Sequence, residues 1–342
     1  MIVTTQPTYI KNFFKNGYTE KTLKPEDIEV VELSLINLCN LKCPMCLRQN
    51  IDFKMKVNHL DLNNLKRFLN DLPNLKRVVL MGAVCEPTLY PHIFELLEYM
   101  NTRNIKVRLS TNGSTKIDWA KLGKTMKKGD IIRFPVDGST QELHSKYRVG
   151  SKLADVLEHH KIFKENSEAT TIMQFIQFDY NRDDEGNIKQ MYKNSTFDLL
   201  EICPCYEPPN LDPKASVKPR TELLKFFKMK DNLRNDKSEV LGCPEAAMNA
   251  IYLNHMGILV PCNEQEDYFL DKPDTININK NTTQECFDFM NNILKNIRCN
   301  EVCKRACSKM GLKECFLYPI FQLNRENTKF ELVDFRECML NR

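Results

Sequence analysis

Three cysteines fall within one short stretch, Cys39-Asn40-Leu41-Lys42-Cys43-Pro44-Met45-Cys46. Thiolates are ligands for soft and borderline metals, so this spacing points to iron–sulfur or zinc chemistry. Zinc ribbons pair CxxC knuckles with a fourth ligand, and no such partner lies close to this triplet. Three thiolates can hold three irons of a four-iron cluster and leave the fourth open to an outside ligand, which would make the centre reactive. Structural zinc, or plain buried thiols, is the alternative that spacing alone leaves open.

A second group of cysteines lies far downstream. Cys243 is followed by Gly257 and then Cys262, and the segment between them reads as a β-hairpin turning near Asn254–Gly257. Cys299, Cys303, Cys307 and Cys315 come next, with Cys286 and Cys338 more isolated. Cys243, Cys262 and two of the Cys299–Cys315 group would complete one metal site, and Cys286 or Cys338 could extend it to a second. A structural zinc site is the alternative, since thiols alone do not report which metal they hold. Cys203 and Cys205 read as structural thiols.

Other residues suited to chemistry sit at the ends of apolar runs. They are Glu86 before Pro87, Ser110-Thr111-Asn112-Gly113, and Val136-Asp137-Gly138 followed by His144, Tyr147 and Arg148. Taken singly, Asn-Gly and Asp-Gly are ordinary turn pairs. Arg133 is the one obvious basic residue near a strand end for a substrate phosphate. His159-His160 lies in a helix-like stretch and is expected on its solvated face, so neither is assigned acid–base work.

Alternating elements would have to position these groups. Apolar runs suited to buried parallel strands occur at 28–35, 77–81, 105–110, 131–136, 171–178 and 199–202. Helical patterns separate them at 60–72, 91–100, 117–126, 153–163 and 188–193, with Asp118 and Asp184 near helix starts and Pro91 suited to a first turn. Six strand–helix units make an α/β fold, as either a partial barrel or an open doubly wound sheet. Five prolines between Pro204 and Pro219 mark a connecting segment, and eight of the 14 cysteines lie from Cys243 onward. The expected division is an N-terminal extension over 1–28, a barrel over 29–205, a linker over 206–242 and a small cysteine-rich domain over 243–342.

Composition narrows the setting. The chain has 342 residues and a formal charge of +4, with no long basic run, so nucleic acid is not an expected partner. No stretch has the roughly 18 apolar residues of a membrane span, and the N-terminus lacks a signal-peptide core. With so many closely spaced cysteines, a reducing cytoplasmic location and metal binding are expected.

Taken together, these features resemble the radical S-adenosylmethionine (SAM) superfamily. CNLKCPMC after the first strand is similar to its CxxxCxΦC signature, with Met45 at the Φ position. Gly82-Ala83-Val84-Cys85-Glu86-Pro87 resembles its Gly-Gly-Glu-Pro motif, with Cys85 where glycine is usual. Ser110-Thr111-Asn112-Gly113 and the Asp137–Arg148 stretch follow in family order, with Pro135 where a serine is common. The Cys243–Cys262 segment resembles the opening of the SPASM and twitch extensions, although the later gaps depart from the full pattern.

The resemblance implies a partial (β/α)6 TIM-like barrel followed by a small SPASM/twitch-like domain with a β-hairpin. It implies a 4Fe-4S cluster on Cys39, Cys43 and Cys46, SAM contacts from Met45, Gly82, Glu86, Ser110, Asn112 and Arg148, and at least one auxiliary iron–sulfur cluster on the downstream cysteines. Glu86 would take the methionine ammonium of SAM and Arg148 its carboxylate. The implied activity is reductive cleavage of SAM to a 5′-deoxyadenosyl radical, which removes hydrogen from a peptide or protein side chain. A small-molecule substrate (sugar, nucleoside or alcohol) is the second expectation, and a non-catalytic metal scaffold the third. The implied electron donor is a reductant such as a flavodoxin or ferredoxin.

Overall fold

The computed structural model describes residues 22–50, 57–81, 84–204, 243, 246, 248–265, 269, 272, 274–296, 319–324 and 331–334. Six strands run in parallel: β1 (Val30–Leu33), β2 (Arg77–Leu80), β3 (Lys106–Ser110), β4 (Ile131–Pro135), β5 (Thr170–Gln177) and β6 (Leu199–Pro204). Their spatial order is their chain order. A doubly wound sheet needs a reversal in that order, and here there is none. Successive right-handed crossovers therefore bring every helix to the same face, as in a partial barrel.

Those helices are α1 (Leu47–Asn50), α2 (Leu62–Asn70), α3 (Ile93–Thr102), α4 (Trp119–Thr125), α5 (Gln141–Tyr147), α6 (Leu153–Glu165) and α7 (Glu185–Lys193). One set of alternate strand residues, among them Val31, Leu33, Val78, Leu80, Leu109, Phe134 and Phe175, packs against Phe68, Leu96, Leu122, Phe163 and Tyr192 in a single core. The other set faces inward. Near the strand starts it is apolar, with Val30, Val79 and Ala250 clustered. Higher up it carries charge. Arg133 donates to Glu201 from Nε at 2.7 Å and from Nη2 at 2.6 Å, and Arg108 lies 3.5 Å from the same carboxylate.

The sequence-expected strands and helices are all found, and α1 and α5 are additions. Two capping expectations diverge. Asp118 caps α4 by accepting from the Lys121 N–H at 2.8 Å. Asp184 precedes α7 but gives its carboxylate to Ser139 instead, accepting from its N–H and its hydroxyl. The expectation for His159-His160 is corrected. His160 is buried and stacks on Phe197, while His159 stacks on Trp119 and donates to the Gly113 carbonyl at 2.7 Å. Leu153, Val156, His160 and Phe163 form the buried stripe of α6, so the helical period itself carries His160 inward.

The chain beyond residue 243 joins the same sheet. β7 (Ala250–Leu253) runs parallel to β1, with Leu33 opposite Leu253, and β8 (Leu259–Val260) returns antiparallel to β7. Gly257 has φ of +81° in the turn between them, at the position expected from sequence. At the other edge, β9 (Pro319–Asn324) pairs antiparallel with β6, and β10 (Glu331–Asp334) with β9. Helix α8 (Thr283–Lys295) packs Phe287 and Met290 into the main core. The segment expected as a small separate domain therefore contributes strands to both edges of the barrel sheet. The linker, Gly82, Cys205, Cys299, Cys303, Cys307, Cys315 and Cys338 lie outside the described residues. Among the described residues no helix is long and apolar enough to cross a membrane.

Candidate active site

The C-terminal ends of β1 to β5 converge on the first cysteine triplet. Cys39, Cys43 and Cys46 lie on the loop after β1, close enough that Cys46 raises the pKa values of both Cys39 and Cys43 electrostatically. No disulfide joins the described cysteines. Burial pushes the Cys43 thiol up to about 12, with the Arg148 cation pulling it back. Burial likewise raises Cys39, opposed by the Leu41 N–H. Left to themselves Cys39 and Cys43 stay protonated at neutral pH, and bound metal is what would release their protons.

Three soft thiols on one loop are a donor set that fits an iron–sulfur cluster, which spreads its thiolate ligands over separate irons. The surroundings supply the complementary polarity. The Cys39 sulfur accepts from the Leu41 N–H at 3.5 Å and from Asn112 Nδ2 at 3.6 Å, and Arg148 faces Cys43.

Arg148 is held from behind by Asp137. The Arg148 Nε–H donates to Asp137 Oδ2 at 2.6 Å, and the fully buried Asp137 also accepts from the Ile176 N–H at 2.7 Å. Burial works against the Arg148 cation, but Asp137 and Cys43 more than offset it and hold its pKa above the ordinary value. His144 anchors the same loop. Its Nδ1 accepts from the Asp137 N–H at 3.3 Å, so the other nitrogen, Nε2, carries the proton toward Ser151 Oγ at 3.0 Å. Burial lowers the His144 pKa to about 4, in keeping with a neutral ring. Ser151 then reaches Ser114 at 2.7 Å, which links the loops after β3 and β4.

Gly138 is required here by close approach. A Cβ at this position would lie 2.4 Å from Leu143 Cβ and 2.5 Å from the His144 nitrogen.

The remaining sequence-expected residues divide. Met45 is buried with Phe178, and Tyr147, Ile176 and Tyr180 pack against the pair, forming an apolar, ring-rich wall beside the cysteine loop. Ser110 lies at the end of β3, where Arg133 Nη1 approaches its hydroxyl at 3.4 Å. Arg133 itself is taken up by Glu201. Glu86 is almost fully buried, and its carboxylate accepts from three donors at Oε1 and one at Oε2. Burial raises its pKa, while bonds from Thr88, Asn112 and Thr111 draw it back. Cys243 is buried in the main core, and Cys262 is half-buried just past β8. Cys286 is fully buried on α8, its thiol pushed up to about 11 by that burial. Cys203 is buried and accepts from Gln174 Nε2 at 3.8 Å.

Thr88 and Ser151 are not marked by any sequence motif, and Thr111 and Asp137 stand in their motifs without an assigned role. Asp137 could have been found from its place in the Asp-Gly pair that precedes Arg148. The two threonines and Ser151 give no signal of their own, because only the fold brings them to Glu86 and His144.

Comparison with known proteins adds an independent line. Residues 33–190 match the model of the Radical SAM superfamily. Over 113 residues the chain is 28% identical to the tungsten-containing aldehyde ferredoxin oxidoreductase cofactor-modifying protein of Pyrococcus furiosus, covering 31% of this chain and 30% of that protein. The matched segment thus spans about a third of that curated relative. Streptococcus suis SuiB bound to S-adenosylmethionine superposes with a TM-score of 0.57 at 14% identity, over 81% of this chain and 71% of SuiB. The native anSMEcpe solved with AdoMet and the Kp18Cys peptide superposes with a TM-score of 0.55 at 21% identity, over 89% and 92% of the two chains. At these identities the structural likeness speaks to fold.

Proposed function

We propose, from the match of residues 33–190 to the Radical SAM superfamily, that this chain is an enzyme holding a 4Fe-4S cluster on Cys39, Cys43 and Cys46 and acting with SAM on a peptide or protein side chain. The observation that carries this reading is the gathering of three thiols at the strand ends, between the Asn112 amide and the Arg148 guanidinium. When bound, the cluster and SAM supply one-electron cleavage to a 5′-deoxyadenosyl radical, which removes a hydrogen atom from carbon.

The chain's own residues set the stage. Arg148, fixed by Asp137, offers a cation beside Cys43 suited to the anionic cluster or to the SAM carboxylate. Met45 and the rings packed beside it offer apolar surface to the adenine. Ser110 offers a hydroxyl at the strand end. Gly82 belongs to this proposal by its motif.

An auxiliary iron–sulfur cluster would use Cys243 and Cys262 with two of Cys299, Cys303, Cys307 and Cys315. Support comes from the β7–β8 hairpin, which carries Cys262 back toward the start of β7. A peptide substrate is supported by the complex of anSMEcpe with its peptide. The second reading, modification of a small molecule or cofactor, is favoured by the identity to a cofactor-modifying protein. A flavodoxin or ferredoxin would supply electrons, in the cytoplasm.

The test is anaerobic reconstitution with iron and sulfide, then reductant and SAM, with 5′-deoxyadenosine as the readout. Product from the wild type and none from a Cys39→Ala, Cys43→Ala, Cys46→Ala triple variant is expected. Equal product from both, or iron bound without SAM cleavage, would defeat the proposal.

A further inference from the structure

Glu86 stands where the sequence resemblance calls for a ligand to the SAM ammonium, yet its surroundings are those of a brace. Four protein donors converge on its buried carboxylate. Here Oε1 accepts from the Thr88 N–H at 3.1 Å, the Thr88 hydroxyl at 2.6 Å and the Thr111 hydroxyl at 2.7 Å, and Oε2 accepts from the Asn112 N–H at 2.6 Å. Only 2% of the residue is exposed. The Glu86 N–H donates to the Leu38 carbonyl at 2.8 Å, one residue before Cys39. One side chain and its own amide thus tie together the loops after β1, β2 and β3.

The circuit closes through Asn112. Its Oδ1 accepts from the Ser114 N–H at 2.8 Å, which fixes which end of the amide is which. Nδ2 then faces Asn40 Oδ1 at 2.8 Å and the Cys39 sulfur at 3.6 Å, so both of its hydrogens are directed. Hydrogen bonds to ligand sulfurs are among the levers that set the reduction potential of an iron–sulfur cluster, because they stabilise the more negative reduced state.

We propose that Glu86 is a positioning residue that holds the Asn112 backbone in place, so that the Asn112 side-chain amide donates to the Cys39 sulfur and raises the potential of the cluster, with neither residue serving as a SAM ligand. This rests on the reading that Cys39, Cys43 and Cys46 hold a cluster.

The test compares reconstituted wild type, Glu86→Gln and Asn112→Leu. Glutamine keeps the shape but turns an N–H group toward the donors that converge on Glu86. Leucine removes the side-chain amide, both its donor to Cys39 and its acceptor for the Ser114 N–H, and leaves the backbone bond to Glu86, so it keeps the test open if Glu86→Gln does not fold. Iron content, the midpoint potential of the SAM-free cluster followed by EPR, and the SAM dissociation constant are measured on each. Unchanged iron and a lowered potential are expected in both variants; a tenfold weaker one-electron reduction corresponds to about 59 mV. SAM affinity should stay within about twofold of wild type. An unshifted potential overturns the proposal, and so does a tenfold or larger loss of SAM affinity, on the order of 1.4 kcal/mol.

A wild type that takes up no cluster would sink the functional reading instead. The brace would then be judged by hydrogen exchange at the Asn112 amide. Protection in wild type that is lost in Glu86→Gln supports the positioning role, and no protection in wild type refutes it.

Discussion

Replacing Asp137 with asparagine isolates the pairing that aims Arg148. Asp137 is fully buried and accepts two bonds, from the Arg148 Nε–H at 2.6 Å and the Ile176 N–H at 2.7 Å. An asparagine can accept only one of these through its oxygen. Its amide hydrogens then face the other donor, so one buried N–H loses its partner. Loss of the charge-assisted bond is worth about 1.5–3 kcal/mol and the orphaned donor about 1–3. Removing one partner of a buried ion pair typically costs about 3–5 kcal/mol. The Arg148 side chain is only 14% exposed, so solvent screens this pair little. We therefore expect urea unfolding at neutral pH to show Asp137→Asn destabilised by about 3–5 kcal/mol. The double variant Asp137→Asn with Arg148→Met should be less unstable than the sum of the single changes, by about 0.5–3 kcal/mol. A single-variant loss below about 1 kcal/mol, or strict additivity, would refute the assignment of this pair as a buried clamp.

Two further outcomes follow from the same loop. His144 is neutral in the fold with a pKa lowered to about 4, against 6.5 when exposed, so the unfolded chain binds its proton first as pH falls. No penalty exists above pH 6.5, and it grows to about 3 kcal/mol by pH 4. Wild type should therefore lose about 2 kcal/mol more than His144→Gln between pH 7.5 and 5 in urea unfolding, and parallel pH profiles would contradict this. Gly138→Ala should destabilise by about 1–3 kcal/mol, because Leu143 and the His144 backbone cannot both retreat. By contrast Gly186→Ala on α7, where a Cβ meets nothing within 4 Å, should be neutral or gain up to about 1 kcal/mol. Equal melting temperatures for these two glycine variants would count against the packing described.

The parts legible in sequence were those written in local spacing. Buried parallel strands are apolar on both faces, so runs such as those around Val78 and Ile132 stand out. The cysteine triplet and the turn at Gly257 are likewise local. Helix α5 was not legible because His144 is its one buried residue and no apolar stripe marks it. Arg108 and Glu201 sit inside apolar strands and pair only across the sheet. The engagement of Glu86 by Thr111 and Asn112 depends on two strand ends meeting. No pattern within either segment encodes that meeting. The pairing of β7 with β1 was hidden for the same reason, since its partners lie over 200 residues apart.

That pairing also has a consequence for the order of assembly. During synthesis β1 can acquire β2 once residue 80 has emerged, but its other edge stays open until Leu253 is made. Until then the strand leading into the cysteine loop is an edge strand, with unpaired backbone groups that invite foreign strands. Contacts so distant in sequence form late and slowly, after the local units have condensed. The loop that carries Cys39, Cys43 and Cys46 thus waits for a strand made more than 200 residues later before its supporting strand is flanked on both sides.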